Sequence, residues 1–162
     1  MWDVTYLKFI PIFILILTNC AVKQLTPEEK IIQRANTIRV VSTTSIRTAL
    51  YLVNRYIPDF VTAIESDVIF TTKQLDAVSA QEIVNGELVG LLITDLGNRI
   101  NARLHQLPQS DVKEIGNLIK DIGKLVDQYL ISTVNIIEFK VYIESLTIGM
   151  KQGIAEFELE DK

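Results

Sequence analysis

Ile115-Gly116-Asn117-Leu118-Ile119-Lys120-Asp121 runs directly into Ile122-Gly123-Lys124-Leu125-Val126-Asp127, a seven-residue near repeat. Its apolar stripe continues as Ile115, Leu118, Ile122, Leu125 and Tyr129, in alternating steps of three and four. That spacing is one face of an α-helix, not the alternation of a strand. Two heptads fall short of the roughly three or four a coiled coil needs, so an antiparallel helical bundle is expected. Gly116 and Gly123 fall almost on one face, where two backbones are expected to approach closely. Without such packing, each would cost about 1 kcal/mol relative to Ala.

The same period extends upstream. Val89, Leu92, Leu96, Ile100, Leu104 and Leu107 form a second regular stripe, closed by Pro108. Ser79 and Glu82 have capping-box spacing and are expected to open that helix, with Asn85-Gly86 and Gly90 weakening its first turns. Val61, Ile64, Val68, Leu75 and Val78 predict a helix from about Asp59, the alternative being a short strand at Asp67 to Thr71. Before it, Thr26-Pro27-Glu28-Glu29 marks a helix start: Thr26 and Glu29 have capping-box spacing and Pro27 stands at the first helical position, where its missing N–H is harmless. One long helix is expected from there to about Ile57, ended or kinked by Pro58. Its middle, Val40 to Ser45, is rich in β-branched and hydroxyl residues that lower helix propensity.

Downstream, the helix opening at Ser110 or Asp111 is expected to be the last. Tyr129 to Ile137 carries no charge, as expected of a central bundle helix or a surface buried against a partner. Glu156-Phe157-Glu158-Leu159-Glu160-Asp161 alternates acids with apolar residues and is expected to be a solvated, frayed tail. The fold class is therefore all-α, a small bundle of three or four helices.

The first residues follow a different logic. Phe9 to Leu17 is an apolar run of nine residues containing Pro11, about half of the roughly 20 a spanning helix requires. Lys8 and the α-amino group precede it, and Asp3 offsets part of their charge. The run ends in Leu17-Thr18-Asn19-Cys20, whose cysteine is the only one in the chain. This stretch resembles the lipobox of bacterial lipoproteins, in which an aliphatic residue stands three places before an acylated cysteine. Leu17, Thr18 and Ala21 fit that pattern, and Asn19 departs from the usual Gly, Ala or Ser. The resemblance covers about the first twenty residues. It implies a signal peptide over residues 1–19, lipidation at Cys20 and a tether over 20–26; the periodicity downstream, read separately, gives a helical bundle over 27–153 with an acidic tail over 154–162. The resemblance also implies residence in the bacterial cell membrane or outer membrane, facing the periplasm or exterior.

Charge and composition narrow the partners. The chain has 16 Lys and Arg against 20 Asp and Glu, a net charge of −4; losing residues 1–19 removes Asp3 and Lys8 and leaves it unchanged. A mildly acidic chain lacks the basic stripe that nucleic acid demands. Arg39, Arg47 and Arg55 drift by about 80° per step around a helix and make no compact basic face. His105 is the only histidine, so imidazole pairs cannot ligate zinc within the chain. No nucleophile elbow, phosphate loop or His-Glu-x-x-His motif occurs. Asp95, Asp121 and Asp127 fall near Lys and Arg, as solvated ion pairs do. The expectation is a non-catalytic binding or structural module with no catalytic residue, metal or cofactor, whose partners are the membrane and an envelope protein. The alternative is an unprocessed, self-associating structural subunit of a larger assembly.

Overall fold

The computed structural model describes residues 25–160; Cys20 and the lipobox-like residues lie outside them. The chain forms two compact units, Met1–Lys30 and Ile31–Lys162. In the first, the described residues open a helix through the expected capping box. Thr26 Oγ1 accepts from the Glu29 N–H at 3.1 Å, and the Glu29 carboxylate accepts from the Thr26 N–H at 2.8 Å, so two orphan donors are satisfied reciprocally.

Every regular element among the described residues is helical. The α-helices are α1 (Pro27–Tyr56), α2 (Val61–Ser79), α3 (Gly86–Arg103), α4 (Gln109–Leu125) and α5 (Ile136–Glu160). Short 3₁₀ turns occupy Pro58–Phe60 and Leu104–Gln106, and a π-helical turn follows α4 at Val126–Ile131. The class is all-α, with five α-helices among the described residues where three or four were expected. What reads as one closing helix breaks after the π turn and restarts at Ile136. Asn135 drives the restart: its Oδ1 accepts from the Ile137 and Glu138 N–H groups at 2.9 and 3.1 Å, the N-cap role asparagine fills well.

Two other expectations change, and the strand alternative at Asp67 to Thr71 gives way to the expected helix. Ser79 ends α2 and does not open α3; Asn85 caps α3, its Oδ1 accepting from the Leu88 N–H at 3.0 Å. Asp67 to Thr71 is helical within α2, with Asp67, Val68 and Thr71 buried. The segment read as a frayed tail continues α5 through Glu160, because Ile154 and Phe157 are buried in the core. Pro58, by contrast, follows the end of α1 as expected.

Within Ile31–Lys162 successive helices alternate in direction. Arg103 reaches Asp67 and Arg99 reaches Thr71 across α2 and α3, while Gly97 faces Ile119 and Gly90 faces Val126 across α3 and α4. Lys151 of α5 pairs with Asp76 of α2. As a result α1 and α5 are parallel neighbours: Arg34 meets Glu138, Ser42 lies against Gly149, Ile46 against Gly153, and Arg47 pairs with Glu156. One end of this unit gathers Ile31, the α2–α3 turn and the α4–α5 connection. The other gathers the 3₁₀ turns and the end of α5.

The α1–α5 seam explains the hydroxyl-rich middle of α1. A Cβ placed on Gly149 would lie 2.5 Å from the Arg39 carbonyl oxygen and 2.9 Å from Ser42 Cβ, and one on Gly153 would lie 2.7 Å from the Thr43 carbonyl. Glycines four apart thus clear a strip on α5, and the small residues Ser42, Thr43 and Ser45 are buried on α1. The hydroxyls of Ser42 and Thr43 donate back to the Ile38 and Arg39 carbonyls at 2.7 and 2.9 Å, so burial strands neither.

Candidate functional site

Glycine in a helix costs about 1 kcal/mol relative to Ala unless its missing side chain serves packing or leaves needed space. Gly86, Gly149 and Gly153 serve packing; a Cβ on Gly86 would fall 2.6 Å from the Ile131 Cα. Gly97 is snug, its notional Cβ 3.1 Å from Ile119 Cγ2. Gly116 and Gly123 differ, since a Cβ at either would meet nothing within 4 Å. The close backbone approach expected there is therefore not found. The physical reason is the register of α4: Ile115, Ile119, Ile122 and Val126 are the buried residues, while Leu118 and Leu125 are only partly covered. The glycines accordingly face the edge of the contact with α3.

What they leave is a groove of about 400 Å³ between α3 and α4. Gly90 and Gly97, seven apart on α3, line it opposite Gly116 and Gly123, seven apart on α4, and Ile93, Ile100, Ile115 and Ile119 contribute its apolar surface. Asn98 and Asn101 stand along α3, and Lys120 and Lys124 along α4. Lys124 is paired with Asp121 at 2.6 Å, and the Thr94 hydroxyl is turned back to the Gly90 carbonyl at 2.9 Å. The groove offers apolar contact, amide groups and ammonium charge. Asp127 adds a carboxylate to the same lining, and polar groups beside an apolar floor are the means of binding.

The buried charges elsewhere hold helices together. Asp67, 8% exposed, accepts from Arg103 Nε at 2.8 Å and lies 3.8 Å from Arg99 Nη1. Arg99 also pairs with Asp95 at 2.7 Å and stacks its guanidinium 4.6 Å from the Phe70 ring centroid. The hydrogen bond to Asp67 raises the Arg103 pKa further. Near the start of α5, the fully buried Tyr142 donates its hydroxyl to Glu138 Oε1 at 2.5 Å, and Arg34 reaches the same oxygen at 3.4 Å. Burial, then this hydrogen bond, pushes the Tyr142 phenol up. Glu65 on α2 is also held above the ordinary carboxylate range, by burial first and by Glu158 second.

Of the residues singled out in the sequence, Cys20 lies outside the described region. His105 is exposed on a 3₁₀ turn, its ring 6.4 Å from that of Phe60. Among the described residues no group of three or more His, Cys, Asp and Glu is placed to hold a metal. Asp95 and Asp121 are in ion pairs as expected. Sequence reasoning missed the Gly149–Gly153 pair, although the four-residue spacing of two glycines is itself a close-packing signal. It also missed that Gly90 and Gly97 repeat the spacing of Gly116 and Gly123, which marks two facing helices. No family model, no curated protein and no solved structure compared with the chain matches it.

Proposed function

We propose that the chain is a membrane-anchored helical lipoprotein of the bacterial envelope, bacterial or phage-encoded, acting as a non-catalytic binding or structural module. The observation that carries this is Leu17-Thr18-Asn19-Cys20 at the end of the apolar run Phe9 to Leu17. Acylation of Cys20 would add two or more chains, at about 0.8 kcal/mol per buried methylene, enough for a stable anchor. Among the described residues no helix is long and apolar enough to cross a membrane. The groove between α3 and α4 supports the binding half, since Gly116 and Gly123 leave space that no contact among the described residues uses. Anchoring then raises the effective concentration of the bundle near envelope partners without any new contact.

The test is the intact mass of the protein recovered from the membrane fraction of a bacterial host. A species lacking residues 1–19 and heavier by a diacylglyceryl group supports the proposal; a full-length, unmodified mass overturns it. Cys20→Ser should leave helix content unchanged while releasing the protein from the membrane.

A further inference from the structure

We infer that the end of the bundle formed by the α4–α5 connection and the α2–α3 turn seats directly on the bilayer, with Ile131, Val134 and Ile137 in contact with lipid. This deepens the anchored-lipoprotein proposal and rests on it.

Val134 is 93% exposed and Ile137 72% exposed, and Ile131 is exposed beside them. They lie within Tyr129 to Ile137, a stretch without a charged residue. Its polar side chains are hydrogen-bonded to the connection's own backbone, and Thr133 is buried. The Ser132 hydroxyl donates to the Gln128 carbonyl at 2.9 Å, and that of Thr133 donates to the Tyr129 carbonyl at 2.5 Å. The Thr133 N–H reaches the Leu130 carbonyl at 3.3 Å, and the Asn135 carboxamide receives the Ile137 and Glu138 N–H groups. Polar side chains already hydrogen-bonded lose less on approaching a headgroup boundary, where backbone groups still meet water, while the aliphatic side chains gain.

The occupant follows from where the chain enters. Arg34, three residues after Ile31, is pinned to Glu138 at 3.4 Å and lies 5.7 Å from the Tyr129 ring centroid. The backbone therefore enters Ile31–Lys162 beside this connection, and Cys20 precedes Ile31 by eleven residues. Eleven residues, even fully extended, span at most about 40 Å, so an anchor at Cys20 keeps this end close to the membrane. The exposed side chains are branched aliphatics, whereas a protein contact is typically built on Tyr, Trp and Arg. Ile83 is exposed on the neighbouring turn, next to Glu82. That carboxylate limits insertion to the headgroup boundary, the depth of interfacial segments.

Single-thiol labelling tests this on the lipidated full chain. With the Cys20 sulfur in a thioether, Val134→Cys or Ile137→Cys supplies the only reactive thiol. Leu159→Cys is the control, because Leu159 is as exposed as Ile137, at 73%, and lies at the far end of α5, about 33 Å away at 1.5 Å per residue. Each variant is labelled with an environment-sensitive fluorophore and placed in phosphatidylethanolamine–phosphatidylglycerol vesicles containing a nitroxide lipid. Blue-shifted emission quenched by the nitroxide at 134 and 137, with a water-like and unquenched probe at 159, is the expected result. One label per chain with an unquenched probe at 134 overturns the seating and leaves the anchor intact. Two labels per chain show Cys20 free and overturn the anchor together with the seating that rests on it.

Discussion

The glycines of this protein should respond to alanine in opposite directions, according to what stands opposite each. At Gly149 an added Cβ would lie 2.5 Å from the Arg39 carbonyl oxygen, 0.9 Å inside the 3.4 Å at which ordinary contact begins. Two further atoms, Ser42 Cβ and Arg39 Cα, lie within 3.0 Å. Two of the three atoms are backbone, so α1 must move as a whole. Overpacking of that kind costs about 3 kcal/mol, the upper part of its usual range. Alanine recovers about 1 kcal/mol of helix propensity, leaving Gly149→Ala about 2 kcal/mol less stable. At Gly116 and Gly123 the same methyl meets nothing within 4 Å, so only the propensity gain operates. Gly116→Ala/Gly123→Ala should be stabilised by about 1–2 kcal/mol in total. Urea unfolding followed by far-UV circular dichroism reads both variants as midpoint shifts at constant slope. A Gly149→Ala protein as stable as the parent would refute the α1–α5 seam, and a destabilised Gly116→Ala/Gly123→Ala protein would refute the open groove.

Other consequences are nearer to single contacts. Asp67→Asn removes the carboxylate that Arg103 and Arg99 share. Because both arginines keep partial access to water, the cost should be about 2 kcal/mol, below the 3–5 of a fully buried broken pair, or a fall of about 4–8 °C in Tm; an unchanged Tm would contradict the bridging role. Glu65 has a folded pKa raised by burial and by Glu158. Its contribution to stability is therefore fully present below the unfolded value of about 4.3 and is lost as pH rises through the folded value. Glu65→Gln should accordingly be more stable than the parent at pH 7, with the difference vanishing near pH 3; equal stability at both pH values would remove the strain assigned to Glu65. Asn135→Ala should lose about 1 kcal/mol of capping energy. Chemical-denaturation curves superposable on the parent's would show that α5 does not depend on this cap.

Periodicity made the long helices legible. Val61, Ile64, Val68, Leu75 and Val78 are all buried, and the Thr26–Glu29 box and Pro58 bound α1 where their local chemistry demands. Errors arose where two local signals competed. Ser79 and Glu82 have the spacing of a cap, yet Asn85, six residues later, wins because Gly86 must lie against Leu130 and Ile131, a tertiary demand invisible in the sequence. The shift from the expected Leu118 and Leu125 to Ile119 and Val126 is likewise set by contact with α3. Hydroxyl residues from Ser42 to Ser45 read as weak helix formers, and only the facing glycines of α5, more than a hundred residues away, reveal them as a packing surface. The groove was half legible: its glycines were noticed on α4, but as a place of contact.

The five-helix count bears directly on where the apolar connection lies. Within Ile31–Lys162 the helices alternate, so α1 and α5 run parallel and α3 starts at the same end as α5. Had Tyr129 to Ile137 continued α4, as the uncharged run implied, Val134 and Ile137 would belong to a helix flank rather than to an end. The Asn135 cap ends that possibility by starting α5 at Ile136 and leaving Ser132 to Val134 as the link. Parallel pairing then sets Arg34 on Glu138 and the small residues of α1 on Gly149 and Gly153. Contacts so distant in sequence form at a considerable loop-closure cost, but once formed they tie Arg34 to the connection that carries the exposed Val134 and Ile137. If Cys20 is acylated as proposed, the tether would orient the bundle as well as hold it. Loosening the seam by Gly149→Ala should weaken that orientation, read as reduced nitroxide quenching at position 134 with the lipid mass at Cys20 unchanged.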